Sequence, residues 1–267
     1  MGVTWIDRMA VDVTGDGDAV VFVHGLGGSL NVWTPLLPAL SRWRCIRPEL
    51  PGSARSRKAH ALAESTPHRG RLSVGVLADA VLRVCEQLGV ARAHLVGHSL
   101  GTLVCQHVAA RVPQAVRSLA LFGALAEPAA AVRQAMAQRA AAARADGLFG
   151  IAEAVAQAAL SAHTRQTQPL AVAYVRESLA AQDAEGYART CEALADATAA
   201  PLERIACPVL VVNGDEDVVT PLSGARQLAE RLASARLEVL PRCGHWPTLE
   251  RSADSQRLLR DFLDRVR

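Results

Sequence analysis

Three short segments, far apart in the chain, carry residue types that together could attack a carbonyl group. The first is Gly97-His98-Ser99-Leu100-Gly101. It follows the apolar run Ala93-His94-Leu95-Val96 and precedes a helical pattern from Thr102 to Arg111. G-x-S-x-G between a strand and a helix marks a turn that presents a nucleophile. The chain must reverse within a few residues, which forces the serine at the apex into a strained conformation and lifts its hydroxyl clear of the sheet. Glycines at 97 and 101 fit because neighbouring elements crowd such a turn and leave no room for a Cβ. The new helix aims its free N–H groups at the apex, where negative charge can be stabilised.

A serine hydroxyl is a weak nucleophile at neutral pH and needs a base beside it. The base needs an orienting acid, and the developing oxyanion needs fixed donors. The candidate base is His245 in Cys243-Gly244-His245-Trp246-Pro247, a short loop beyond the apolar run Leu237–Leu240. The other seven histidines fit less well. His24 and His98 flank other motifs, and the His98 side chain is expected to point away from that of Ser99. His60 and His68 lie in a polar loop, His94 starts a strand, His107 falls inside a helix and His163 in an alanine-rich helical region. The candidate acid is Asp217 in Asn213-Gly214-Asp215-Glu216-Asp217, the loop that ends the strand Val209–Val212. Asp215 follows Gly214 at once and suits the hydrogen bonding of the turn, so Asp217 is preferred; Glu127 is a further candidate. For the oxyanion, one N–H comes from Leu100, the residue after the nucleophile. The other is expected from Leu26 in His24-Gly25-Leu26-Gly27-Gly28-Ser29, whose glycines let the chain approach a ligand closely. This glycine-rich loop has neither G-x-G-x-x-G nor G-K-[ST], which argues against a nucleotide site.

Elements able to position these residues are legible in the pattern. Short apolar runs at 19–23, 44–47, 93–96, 116–122, 209–213 and 236–240 read as buried strands, each ended by turn residues. Helical segments at 31–41, 73–88, 100–111, 222–232 and 253–266 alternate with them. Such alternation predicts right-handed β-α-β units and a mostly parallel sheet covered by helices on both faces. The opening stretch, 3–13 with Gly15-Asp16-Gly17-Asp18, reads as a strand and tight turn forming an antiparallel edge. From Glu127 to about Ala200 no convincing strand appears; the segment is alanine-rich and helical. It reads as a helical cap, residues 127–200, inserted into a core of residues 1–126 and 201–267 and lying over the C-terminal strand ends, where open α/β sheets bind ligands.

Composition narrows the class. The 267 residues are half hydrophobic, with a formal net charge of +3. Lys58 is the only lysine among 29 basic residues, and the arginines are scattered among Asp and Glu, the pattern of solvated faces and not of a nucleic-acid footprint. No stretch approaches the roughly 20 apolar residues of a membrane span, and the first ten residues lack the apolar core of a signal peptide. The six cysteines, at 45, 85, 105, 191, 207 and 243, form no C-x-x-C pair. These features predict a soluble protein of the reducing cytoplasm. No metal site or cofactor is expected, nor any nucleic-acid or membrane partner; oligomeric state is left open.

The order oxyanion loop, Ser, Asp, His is that of the α/β-hydrolase fold, and the chain resembles that family from end to end. The resemblance rests on Val23–Ser29, Leu50–Ser56, Gly97-Ser99-Gly101, Gly214 with Asp217, and Gly244–Glu250. One segment departs from the usual pattern: Glu49 stands where Asp is usual and Ser53-Ala54 where Phe-Gly is more common, a change expected to alter loop shape and not chemistry. Within the family the chain is most similar to capped small-molecule hydrolases such as 3-oxoadipate enol-lactonases and related esterases. The resemblance implies hydrolysis of a small-molecule ester or lactone through an acyl-enzyme, without a cofactor, by Ser99, His245 and Asp217. Dehalogenases and epoxide hydrolases of this fold use Asp at the nucleophile position, so Ser99 argues against both. C–C bond hydrolysis of a dicarbonyl substrate uses the same triad and stays an alternative, as does, further off, a non-catalytic ligand-binding role. Trp33 and Trp246 are candidate pocket walls. Arg55, Arg57, Lys58, Arg69 and Arg71 are a candidate basic rim, competing with an ordinary solvated loop.

Overall fold

The computed structural model describes residues 2–59 and 70–266; His60, His68 and Arg69 lie outside the described residues. Eight strands form one sheet in the order β1-β2-β4-β3-β5-β6-β7-β8. Their spans are β1 Thr4–Ile6, β2 Met9–Thr14, β3 Ala19–Val23, β4 Arg44–Pro48, β5 Ala93–His98, β6 Val116–Phe122, β7 Val209–Gly214 and β8 Ala235–Leu240. The last six are mutually parallel, and β2 joins β4 antiparallel. Strands β3 and β5–β7 are buried along nearly their whole length, as expected of parallel strands covered on both faces. The chain leaves β3 toward β4 on one side and returns at β5 on the other, so the strand order reverses between β3 and β5. A crevice opens at such a switch point, beyond the carboxyl ends of the strands.

Two elements differ from the sequence expectation. The opening segment is a hairpin of two strands, not one strand. Asp7 and Arg8 take φ of +47° and +65° and make the reversal, a conformation more often signalled by Asn-Gly or Asp-Gly. The segment after the glycine-rich loop, Leu30–Leu40, is a 3-10 stretch and not a regular α-helix. Pro35 and Pro38 inside it lack the N–H groups that an α-helical ladder requires. The remaining helices of the sheet layers are α1 Val74–Gln87, α2 Leu100–Arg111, α8 Leu222–Arg231, α9 Pro247–Glu250 and α10 Ser252–Arg265.

Between β6 and β7 the chain forms five α-helices and no strand: α3 Ala130–Asp146, α4 Phe149–Ala158, α5 Ala162–Thr167, α6 Pro169–Ala180 and α7 Ala184–Ala195. Helix α3 packs along α7 and α4 along α6. Arg144 on α3 bridges Glu185 and Glu192 on α7 at 2.7 and 2.5 Å. Contacts to the sheet layers come from two sides. Gln182 accepts the Ala54 N–H at 2.8 Å and donates to the Gly27 and Gly28 carbonyls. On the other side, the Ser161 N–H donates to Glu250 and the Ala162 N–H to Glu216. Ala54, where glycine is the commoner family choice, takes φ of +43°, so the altered loop is a strained one.

The sheet interior encloses two histidines kept neutral by burial. His94 on β5 shares a 2.7 Å hydrogen bond with Ser118 on β6 and packs edge-on against Trp43. Burial, then the nearby Arg117, pulls its pKa down to about 4; burial first and then His245 pulls that of His98 down to about 3. An unfolded chain takes up these protons below about pH 6.5 while the folded one does not. Stability is therefore full above about pH 6.5 and falls as the pH drops toward 4, at up to about 1.4 kcal/mol per pH unit per group. Urea denaturation between about pH 7 and 4 is expected to show this loss, and His94→Gln to make it shallower. An equally steep loss in the variant would contradict the assignment.

Candidate active site

Ser99 sits at the apex between β5 and α2 with φ +52° and ψ −120°, a region that a residue with a Cβ enters only under strain. The surroundings impose it. The Ser99 N–H is held by the Phe122 carbonyl of β6 at 3.0 Å, while its own carbonyl accepts the Thr102 N–H at 2.8 Å and the Thr102 hydroxyl at 2.7 Å. A Cβ on Gly101 would come within 2.0 Å of the Val23 carbonyl oxygen, and one on Gly97 within 2.6 Å of the Gly101 carbonyl oxygen. Helix α2 thus starts hard against the end of β3, with Leu100 fully buried in its first turn, where amide groups are not consumed by the helix.

His245 and Asp217 meet across two loops. The His245 Nδ1 lies 2.9 Å from the Asp217 Oδ2, with both side chains buried. The Asp217 carboxylate also accepts N–H bonds from Val219 (2.9 Å) and Thr220 (2.8 Å) and the Thr220 hydroxyl at 2.7 Å. Burial works against its charged form, but His245 and these donors outweigh burial and hold the carboxyl below its usual range. A carboxylate accepting at Nδ1 puts the imidazole proton there and leaves Nε2 able to take another. Asp215 instead ties two loops together, its Oδ1 accepting the Cys243 N–H at 3.1 Å. Glu127 pairs with Arg133 at 3.5 Å and stands largely in solvent.

Three supporting groups lie in or beside recognised motifs without a role that the sequence assigns them. Glu250 is buried and its carboxylate accepts the N–H groups of Ser161, Gly244 and Trp246 at 2.8–3.1 Å, which fixes the His245 loop. The His245 N–H itself donates to the Ala159 carbonyl at 2.7 Å. His98 supports the base loop: its Nε2 donates to the His245 carbonyl at 2.7 Å, and its ring lies 4.9 Å from those of His245 and Trp246. His24 bridges two loops, donating from Nδ1 to the Gly25 carbonyl at 2.8 Å and accepting the Leu50 N–H at Nε2 at 3.0 Å. Both of its ring nitrogens are committed, and burial keeps it neutral, so it braces the turn that carries Leu26. The only hint in the sequence is that each of these residues adjoins or closes a recognised motif.

Ser99, His245, Leu26, His98, Thr220 and Trp246 line one cavity of about 390 Å³, and helices α3, α4, α6 and α7 supply much of its remaining wall. Contrary to the expectation from sequence, Trp33 does not line this cavity. Its ring is fully buried against Phe22 and Phe122 and edge-on to His98, so it backs the wall from the core. The basic rim is also placed differently. Arg55, Arg57 and Lys58 line a separate surface groove with Trp5 and Arg8, Arg55 pairs with buried Glu49 at 2.7 Å, and Arg71 pairs with Asp196 at 2.6 Å. Among the described residues no cluster of His, Cys, Asp and Glu could hold a metal ion, and no helix is long and apolar enough to cross a membrane.

Glu250→Ala would strip three buried N–H groups of their acceptor. At roughly 1–3 kcal/mol each, the change is expected to lower folding stability by about 3 kcal/mol or more, read as the midpoint shift in denaturant, with Glu250→Gln intermediate. An unshifted midpoint in the alanine variant would contradict the bracing role.

Comparison with known proteins places this geometry. Residues 18–252 match the family described as alpha/beta hydrolase fold. The chain is 31% identical over 227 residues to 3-oxoadipate enol-lactonase 2 of Acinetobacter baylyi, covering 84% of this chain and 81% of that protein. It is 29% identical over 259 residues to 2-hydroxymuconate semialdehyde hydrolase of a Pseudomonas species, covering 94% and 88%. Among solved structures it resembles the enol-lactonase from Burkholderia xenovorans, with a TM-score of 0.86, 28% identity and 96% of each chain covered. The eight-stranded sheet, the serine turn between β5 and α2, and these likenesses converge: the chain belongs to the α/β-hydrolase family.

Proposed function

We propose that this α/β-hydrolase cleaves a carboxylic ester or lactone of a small molecule through an acyl-enzyme, without a cofactor. The observation that carries the reading is that Ser99, on its strained turn, and His245, hydrogen bonded to Asp217, open into one largely apolar cavity. Ser99 attacks the carbonyl carbon as His245 Nε2 takes the hydroxyl proton. Asp217 holds the imidazole in the required tautomer and balances the imidazolium. The N–H groups of Leu26 and Leu100 hold the oxyanion, the imidazolium protonates the departing oxygen, and water activated by His245 releases the acid. Residues 127–200 act as a helical cap that walls the cavity and excludes water, and Trp246 contributes to the pocket lining.

The likeness to an enol-lactonase and the modest demands of ester chemistry favour this reaction. A second reading, C–C bond hydrolysis of a dicarbonyl compound, is favoured by one observation: the similarity to a semialdehyde hydrolase over 94% of the chain.

A fluorophosphonate probe is expected to label wild-type protein at Ser99 and not to label Ser99→Ala. On p-nitrophenyl esters and lactones, Ser99→Ala is expected to lose about 10⁶-fold in kcat and Asp217→Asn about 10⁴-fold. Labelling that persists in Ser99→Ala would remove the assignment. Turnover of a vinylogous diketone with no turnover of any ester would select the second reading.

A further inference from the structure

The turn that carries Leu26 is made of residues 25–28, three of them glycine, the residue with the most backbone freedom to lose. The Gly28 N–H donates to the Gly25 carbonyl at 3.1 Å, and Gly27 takes φ of +70°. His24 Nδ1 donates to the same Gly25 carbonyl at 2.8 Å. The Gly25–Leu26 peptide is planar and trans, so its N–H points opposite to that carbonyl. Two donors on the Gly25 oxygen therefore fix the line along which the Leu26 N–H is aimed, away from His24. Ser99 stands close by: a Cβ on Gly25 would come within 2.9 Å of the Ser99 Cβ.

The other half of the turn is held from outside, by the end of α6. The Ser178 hydroxyl donates to the Gly27 carbonyl at 3.2 Å. The side-chain amide of Gln182, two residues beyond α6, donates to the Gly27 carbonyl at 3.3 Å and to that of Gly28 at 3.4 Å. The same nitrogen donates to the Ser178 carbonyl at 2.7 Å, and the amide oxygen accepts the Ala54 N–H at 2.8 Å. A side-chain amide has two N–H donors and one acceptor oxygen. Here one hydrogen ties the side chain to its own helix, the other is shared by the two turn carbonyls, and the oxygen reaches a third segment. Leu179 presses on the turn from the same side: a Cβ on Gly27 would come within 2.7 Å of its Cδ2. The loops of His245 and Asp217 are tied by other groups, Glu250, Asp215 and Thr220.

The bonds from α6 to Gly27 and Gly28 are long and individually weak, so their effect is geometric more than energetic. An oxyanion donor has to stand about 2.7–3.1 Å from the developing charge, and a turn of three glycines holds no such position unaided. We propose that Gln182 is a positioning residue of the oxyanion hole: it clamps the turn that carries the Leu26 N–H, so the hole is complete only while the end of α6 is docked on that turn. The helices between β6 and β7 then serve the reaction itself and not the choice of substrate alone. Gln182 acts through the turn and takes no part in proton transfer. This inference rests on the reading of Ser99 as nucleophile and Leu26 as oxyanion donor.

Gln182→Met keeps the length of the side chain and removes its donors and its acceptor. On p-nitrophenyl butyrate, well below its melting temperature, this variant is expected to lose about 10- to 100-fold in kcat, short of losing an oxyanion donor outright, with KM within about two-fold of wild type. Gln182→Glu keeps the acceptor for Ala54 but turns an oxygen toward the Gly27 and Gly28 carbonyls, and is expected to lose at least as much. Ser178→Ala removes one donor from Gly27 and is expected to lose about 3- to 10-fold; it carries the same test should Gln182→Met not fold. A trifluoromethyl ketone, whose adduct with Ser99 carries the oxyanion, is expected to bind each variant more weakly by the factor lost in kcat/KM. A lowered melting temperature with kcat and ketone affinity unchanged would leave Gln182 a staple of the fold and overturn the proposal. Hydrogen exchange separates this from the Ser99 reading, since it needs no chemistry. In Gln182→Met the amides of residues 24–29 are expected to exchange about 10-fold faster or more, and those of 243–250 at the wild-type rate. Unchanged exchange at 24–29 overturns the clamp even where Ser99 is the nucleophile. Faster exchange there, in a protein that a fluorophosphonate does not label at Ser99, supports the clamp and removes the Ser99 reading instead.

Discussion

The 2.9 Å hydrogen bond between His245 Nδ1 and Asp217 Oδ2 is the contact on which the rest of the site depends. By itself it decides where the imidazole proton sits, and so which ring nitrogen stays unprotonated. Neither partner is placed by its own strand. Asp217 lies three residues beyond β7 and His245 five beyond β8, in loops that would wander if unsupported. The surrounding structure prevents this with carboxylate acceptors, two of them buried. Asp217 binds its own loop through Val219 and Thr220, Asp215 binds the Cys243 N–H of the neighbouring loop, and Glu250 gathers Gly244, Trp246 and Ser161. His98 then holds the His245 carbonyl from below. Asp217, Glu250 and His98 are polar groups out of water whose partners are supplied by the chain, which makes the arrangement costly to distort.

The serine side is fixed by sterics more than by polarity. Parallel pairing sets Val23 beside Gly97 and His98 beside Phe122, so the ends of β3, β5 and β6 reach the same level. Helix α2 begins within contact distance of the Val23 carbonyl, and only glycine at 101 allows that approach. The positive φ of Ser99 follows from this crowding. Strain at the apex is offset by the buried core beneath, including Trp33, whose ring supports His98 from the interior. A tryptophan that is no pocket wall thus acts one layer further back.

Legibility in the sequence follows from whether a signal is local. The six parallel strands and the helices α1, α2, α8 and α10 announce themselves by apolar runs and turn residues, because burial on both faces of a sheet writes itself directly into composition. The hairpin at Asp7-Arg8 and the 3-10 stretch at Leu30–Leu40 are harder: one uses residues uncommon in such a turn, and in the other an apolar helical period conceals two prolines. Ser99, Asp217 and His245 stand out because each follows a strand and the three types make chemical sense together. Glu250, His24 and His98 do not. Each has a partner 26 to 147 residues away in the chain, and one sequence carries no trace of such pairs.

The protonation state of the His245 ring, read by ¹⁵N NMR of histidine-labelled protein at alkaline pH with His245 assigned by substitution, probes the central interaction itself. A proton bound at Nδ1 is expected, with a strongly low-field N–H resonance that Asp217→Asn removes or shifts, and a bare Nε2. A proton residing on Nε2, or an Nδ1 signal indifferent to Asp217→Asn, would contradict the assigned geometry.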